Sequence, residues 1–571
     1  MPREISNRAY FAAPLLATIF LGVSVFAAEP VLNHLNPVAG QQGTTVSVTA
    51  TGKWDAWPPK MWVDVPGVIF KPGKSAGKFD VEIAKDAAPG PHLVRLFDER
   101  GASAPRFFIV AREPQTLEVE PNDDFRAPQK ITTLPATING KLDKAGDVDS
   151  FAVTLKRGQT LVAWTEAYVL ASTFDGMLRI TDTDGNELAF NHDGRTLDPF
   201  LAWQAPHDGT FIVQTMGFVY PATSGVGFTG GEGCIYRLHL TNGPFVRQTL
   251  PLAVARGKKT PVELVGWNLT SPRAEIDGTR FAAEATAVEF DLPGVTSHLP
   301  LIISDTPEVL EKEPNDTAAA AQVIEIPTGI TGRIDHANDE DRFTLTAAKG
   351  RAYEFKVTAA RSGSPLDAWL KIENKDGKQL ATNDDVSGFR DSSITWTAPA
   401  DGAFTVAIGD VSHHGSDDYL YRLAITEAAP AVTATVAAHS LSVQHGKTVE
   451  VKVAVKRTNG FKAKLQLITK DLPEGVTATP VDVQEKAAEI ALKITADPTS
   501  KPAGQPFTLV LRETESGAEH VARYSLVATA ENNGVPQGYT DLVISTTEHL
   551  WLTILAESAK PEAAKPEPKK N

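Results

Sequence analysis

Cysteine is all but absent: Cys234 is the single thiol in 571 residues. One thiol makes no intramolecular bridge, so every domain must stand on an ordinary core even in an oxidising compartment. Cys234 itself reads as a small buried apolar residue, having no clear histidine partner nearby to make it a nucleophile. Positive charge is in deficit too. A net charge of −15 disfavours nucleic acid, whose binding needs a basic face to release counterions. Acidic surface suits solubility instead and, where carboxylates cluster, divalent cations. After residue 28 no stretch is apolar enough to cross a membrane as a helix. Also missing are HExxH, a CxxC pair and a Walker A sequence, so no catalytic or cofactor-binding residue is assigned. Long helical periodicity is scarce.

What is present is a chain too long for one hydrophobic core. Its 42% apolar and 22% charged residues are ordinary for globular protein. Residues 1–27 have the form of a signal peptide: Arg3 and Arg8 precede an apolar run, and Val25 and Ala27 stand at the −3 and −1 positions of a cleavage site. An uncleaved N-terminal anchor is the alternative. Beyond it, short alternating runs recur, such as VSVTATG, FAVTLKRG, FTLTAAKG and VEVKVAVK, each bounded by Gly, Pro, Asn or Asp. That is the pattern of all-β sandwiches.

A long internal repeat sets the boundaries. LEVEPNDD at 117–124 returns as LEKEPNDT at 310–317, and GKLDKAGDVDSF at 140–151 returns as GRIDHANDEDRF at 332–343. WQAPHDGTFIV matches WTAPADGAFTV, and each copy ends in a strand, CIYRLHL or YLYRLAI. Two homologous domains are therefore expected over 112–244 and 305–427. Three smaller immunoglobulin-like sandwiches fill 29–111, 245–304 and 428–555, the last with 539–555 as a final strand or edge hairpin. Residues 556–571, rich in Pro, Lys, Glu and Ala, read as a disordered tail.

The repeated acidic turn carries the chemistry. Glu118, Glu120, Asn122 and Asp123 place four oxygen-bearing side chains within six residues, suitable material for calcium, which takes six to eight hard oxygens. More must come from elsewhere, and GDVDSF is the natural donor. Phe151, Val153 and Leu155 should face the core, which puts Asp149 on the same inward face at the strand's mouth. A carboxylate aimed there needs a cation or strong donors. Asp341, Phe343 and Leu345 repeat the arrangement. Plain turn chemistry is the competing account, since Asn and Asp bond their own backbone and Pro presets φ.

In their order E-x-E-P-N-D, then D-x-D-x-F, then W-x-A-P-x-D-G, then Y-R-L, both long domains resemble the bacterial pre-peptidase C-terminal domain, a jelly-roll-like β-sandwich related to the collagen-binding domains of clostridial collagenases. The first flanking module resembles the IPT/TIG immunoglobulin-like family. The resemblance implies secreted, non-catalytic modules that often trail proteases. In the collagenase relatives it also implies a calcium site, mapping onto Glu118, Glu120, Asn122, Asp123, Asp147 and Asp149, and in the second copy onto Glu311, Glu313, Asn315, Asp316, Asp339 and Asp341.

Other signals are weaker. TDTDGNE and ENKDGKQ depart from an EF-hand loop and read as Asp-Gly hairpin turns. His413-His414, without a counterpart in the first copy, reads as an incidental polar loop. The first copy's extra residues, MGFVYPATSGVGFTGGEGC, carry Phe218, Tyr220 and Phe228 on a glycine-rich loop. Such aromatics suit sugar or peptide faces, or else pack on a neighbouring module. The expectation is a secreted, periplasmic or envelope-associated all-β protein that is not an enzyme. It would bind an extracellular polysaccharide, a protein polymer or a partner enzyme, with Ca2+ as a possible cofactor. A secreted hydrolase with an unrecognised active site is the alternative.

Overall fold

A computed structural model describes residues 29–194, 198–219, 227–282, 285–290, 292, 295, 299–386, 390–528 and 542–555. The expected signal peptide at 1–27, Tyr220 and the expected tail at 556–571 lie outside the described residues. The fold is all-β, a succession of sandwiches whose helical content among the described residues is three short 3-10 turns. No helix among the described residues is long and apolar enough to cross a membrane.

The two long repeats fold alike. Each pairs two five-stranded sheets in the same strand order. In the second copy the strand Glu340–Ala347 alternates between buried and less buried residues, so Asp341, Phe343 and Leu345 point inward together. In the first copy Asp149, Phe151, Val153 and Leu155 do the same. Burying each such Phe or Leu stabilises by about 1.5–3 kcal/mol, which fixes the register, because a one-residue slip would turn this whole set to solvent. Register thus forces the aspartate at the strand's mouth inward with the core residues. TDTDGNE forms a hairpin turn as expected: Asp182 accepts from the amides of Asp184 and Asn186, and Gly185 takes a φ of 87°.

The first module is two four-stranded layers, with one further short strand at 101–102, and residues 245–304 form two three-stranded sheets. The last module is less simple. Its strand Ala503–Glu513 pairs in its first half with Leu550–Leu555 and in its second half with Leu465–Lys470, so the pairings join into one branched eleven-stranded sheet. Leu550–Leu555 lies between Ser440–Gln444 and Ala503–Glu513, inside the sheet and not in an edge hairpin.

First and last modules meet. Arg95, 1% exposed, donates to the carbonyl oxygens of Ser103 and, across the joint, of His549 at 2.9 Å. Trp551 sits beside it, its ring 4.6 Å from Phe97 and 6.2 Å from Trp62. Successive modules also touch: Asn268 bonds the Thr160 carbonyl, and Arg247 pairs with Asp418.

Candidate metal centre

The acidic turn follows directly on each long module's first strand, Gln115–Leu117 or Glu308–Leu310. In both copies the Glu–Pro peptide inside it is cis, at Glu120–Pro121 and Glu313–Pro314. Asn122 and Asn315 are buried, and their backbone amides bond the carboxylates of Glu120 and Glu313 at 2.9 Å. The turn thus closes on itself, as plain turn chemistry requires.

It does more than close. The structure brings Glu120, Asp123, Asp147 and Asp149 together, one carboxylate oxygen from each lying within 4.8 Å of the others. Asp147 and Asp149 are fully buried, and each leaves its Oδ1 without a protein partner, as do Asn122 and Asp123. In the second copy Asp339 and Asp341 repeat the two orphaned oxygens. There, however, the set divides, with Glu311, Glu313 and Asp341 in one group and Asp316 and Asp339 in another that includes His336. Asn315 differs from Asn122, since its Oδ1 accepts the Arg342 amide at 3.2 Å.

Glu118 and Glu311 also tie the loop down. Oε1 of Glu118 accepts from Tyr236 at 3.1 Å and from the Asn122 amide group at 3.3 Å, while Oε2 accepts the Lys141 amide at 2.8 Å. Glu311 makes the equivalent bonds to Tyr421, Asn315 and Arg333. These carboxylates hold the loop to the sandwich. Tyr236 and Tyr421 complete the frame, each hydroxyl donating at 2.6 Å to Oδ2 of Asp149 or Asp341. Neither tyrosine was singled out from the sequence, although each stands in the repeated Y-R-L. Gly140 and Gly332 let them in, for a Cβ at either would collide with the phenol.

Charge is poorly balanced here. Burial first, and the neighbouring Glu118 or Glu311 carboxylate second, push Asp149 and Asp341 up to about 11. Burial also raises Asp147, Asp339, Glu120 and Glu313. Asp123 is the exception: its bond to Lys144 holds it below the usual range. Folded and metal-free, the chain keeps two protons on Asp149 and Asp341 that the unfolded chain releases near pH 3.9. Between that value and about 11 these groups bind more protons when folded, so their contribution to stability declines as pH rises. Chelator-treated protein is therefore expected to melt lower at about pH 9 than at about pH 6. Thermal melts across that range check this, and a flat or rising profile contradicts it.

The donor set fits a hard divalent cation. Carboxylate and amide oxygens converge, several are buried without partners, and the loop geometry is irregular, as calcium tolerates. Of the loop aromatics, Phe218 is partly exposed with its ring 5.6 Å from that of Phe228. The Phe228 carbonyl accepts the amide of Gly146, one residue before Asp147, at 2.9 Å.

No family model matches the chain. A protein of Deinococcus radiodurans, described as a "probable subtilase-type serine protease", is 34% identical over 119 residues. The match covers 19% of this chain and 16% of that protein's length. Among solved structures, the pre-peptidase C-terminal domain of a Bacillus anthracis collagenase aligns over its whole length and 20% of this chain, at 14% identity and a TM-score of 0.16. The surface layer protein SbsC, domains 1–6, aligns over 70% of this chain and 55% of its own, at 11% identity and a TM-score of 0.13. Fold and site together define a multi-module β-sandwich protein with a duplicated acidic centre.

Proposed function

We propose that the chain is an exported binding or enzyme-accessory protein of the cell envelope or exterior, without a catalytic domain, whose two long modules are each stiffened by calcium. One observation carries the calcium reading: the same buried aspartate oxygens, at Asp147 and Asp149 and at Asp339 and Asp341, stand without protein partners in both copies. A bound ion would supply the positive charge that these carboxylates lack. Asp147, Asp149, Asn122, Asp123 and Glu120 would hold it in the first copy, and Glu311, Glu313, Asp341 and their neighbours in the second. Glu118 and Tyr236 would keep the donors aimed. Because the turn immediately follows each long module's first strand, its rigidity would set the angle to the preceding module.

The candidate partners are a polysaccharide, a protein polymer or an enzyme. Likeness over 119 residues to a protein described as a protease favours an enzyme partner. The same likeness supports the rival reading, a secreted hydrolase. Turnover of casein by purified protein, lost on changing one acidic residue, would establish that rival.

Direct calcium titration of EDTA-treated protein tests the metal reading. Two ions per chain are expected, one for each long module. The absence of binding at millimolar calcium, weaker than the range known for extracellular calcium modules, would end it.

A further inference from the structure

The two copies differ at one position beside the site. In the first, Lys144 Nζ lies 2.6 Å from Asp123 Oδ2 and 4.0 Å from Asp147 Oδ1. A built-in ammonium already offsets the charge of Asp123 there. In the second copy the equivalent residue is His336, and the lysine's charge is gone. One donor atom each of Asp316, His336 and Asp339 lies within 4.8 Å of the others, in a group separate from Glu311, Glu313 and Asp341.

Two further facts point to a ligand. Asp339 is 3% exposed; its Oδ2 accepts the Asp335 amide at 2.5 Å, and its Oδ1 has no protein partner. Nδ1 of His336 lies 3.3 Å from the Ala337 carbonyl oxygen. A ring donating there carries its lone pair on Nε2, and such a carbonyl bond commonly fixes the tautomer of a metal-bound histidine.

We propose that the second long module holds an outer cation site, Asp316–His336–Asp339, selective for a borderline divalent transition metal such as zinc. The inference rests on reading this loop as a cation centre; it shares Asp316 and Asp339 with the carboxylates expected there and is set apart by the imidazole of His336. All-oxygen groups suit calcium, whereas adding one imidazole shifts preference towards zinc. Three protein ligands with an open fourth position are an ordinary zinc arrangement. Since His336 is exposed on a turn, its replacement leaves the core untouched.

The test uses the full chain, stripped with EDTA and then saturated with calcium. Zinc is titrated against a chromophoric chelator, for the wild type and for His336→Gln. One zinc per chain is expected, bound at least tenfold more weakly by the variant, while its calcium stoichiometry and melting temperature stay unchanged. Lys144→His in the first copy is expected to add a second zinc. No zinc binding by the wild type, equal binding by His336→Gln, a loss confined to His192→Gln, where His192 clusters with Asp175 and Asp193 in the first copy, or a loss confined to His413→Gln with His414→Gln would each overturn the proposal. The two readings fail separately. Absent calcium binding with His336-dependent zinc intact removes only the calcium assignment, and the reverse result removes only the zinc site.

Discussion

Calcium added to the EDTA-stripped chain is expected to stabilise the long modules by about 2.7 kcal/mol at a free concentration a hundred times Kd. The effect should vanish in Asp149→Asn with Asp341→Asn, and the same pair of substitutions should not weaken the metal-free protein. The reason lies in protonation. Metal-free, each aspartate is held neutral by burial and the neighbouring Glu118 or Glu311 carboxylate, its Oδ2 accepting from a tyrosine hydroxyl. An asparagine reproduces that neutral form, its amide donating to the glutamate and its oxygen accepting from the tyrosine. At pH 8 it also removes the cost of retaining a proton that the unfolded chain has lost. Thermal melts of both proteins with EDTA and with calcium decide the matter. A variant that still responds to calcium, or that melts well below the wild type in EDTA, contradicts this account of the two aspartates.

Trp551→Ala is expected to cost about 3–5 kcal/mol, the range for emptying a large buried aromatic site. Trp551 is 1% exposed and belongs to an interior strand. Its ring also faces Phe97 and Trp62 of the first module. Two readouts should move together: a lower melting temperature for the last module and a larger maximum dimension in small-angle scattering as the first module comes free. Trp551→Phe should retain most of both. A destabilised variant whose dimensions do not change would show that the aromatic contact does not hold the modules together.

Much of the fold was legible because strand alternation is a local property. The run ending FTLTAAKG places Phe343 and Leu345 inward, and Asp341 follows by the same period of two. Duplication made the acidic turn stand out, and six of its residues recur at equivalent positions. What escaped notice depends on distance along the chain. Tyr236 meets Glu118 from 118 residues away, and Arg95 meets His549 from 454. No local pattern records such pairings. The placement of Leu550–Leu555 inside its sheet was hidden for the same reason, as its partners lie at 440–444 and 503–507. Lys144 and His336 were visible in the repeat, but a difference between copies acquires meaning only when the carboxylates around it are in place.

The docking of first module on last gives the molecule a shackle. Glu29, whose carboxylate feels the charge of Arg95, and the strand ending at Leu555 are joined through that contact. A pull between these two points would run through the joint between first and last modules, where Ser442 also bonds the Arg100 carbonyl and Trp62 meets His549, with residues 112–427 in a parallel branch. Only after the joint gives way would tension reach the acidic turns. A chain loaded in this manner would extend in two stages: a first short release as the shackle opens, then the resistance of the long modules themselves.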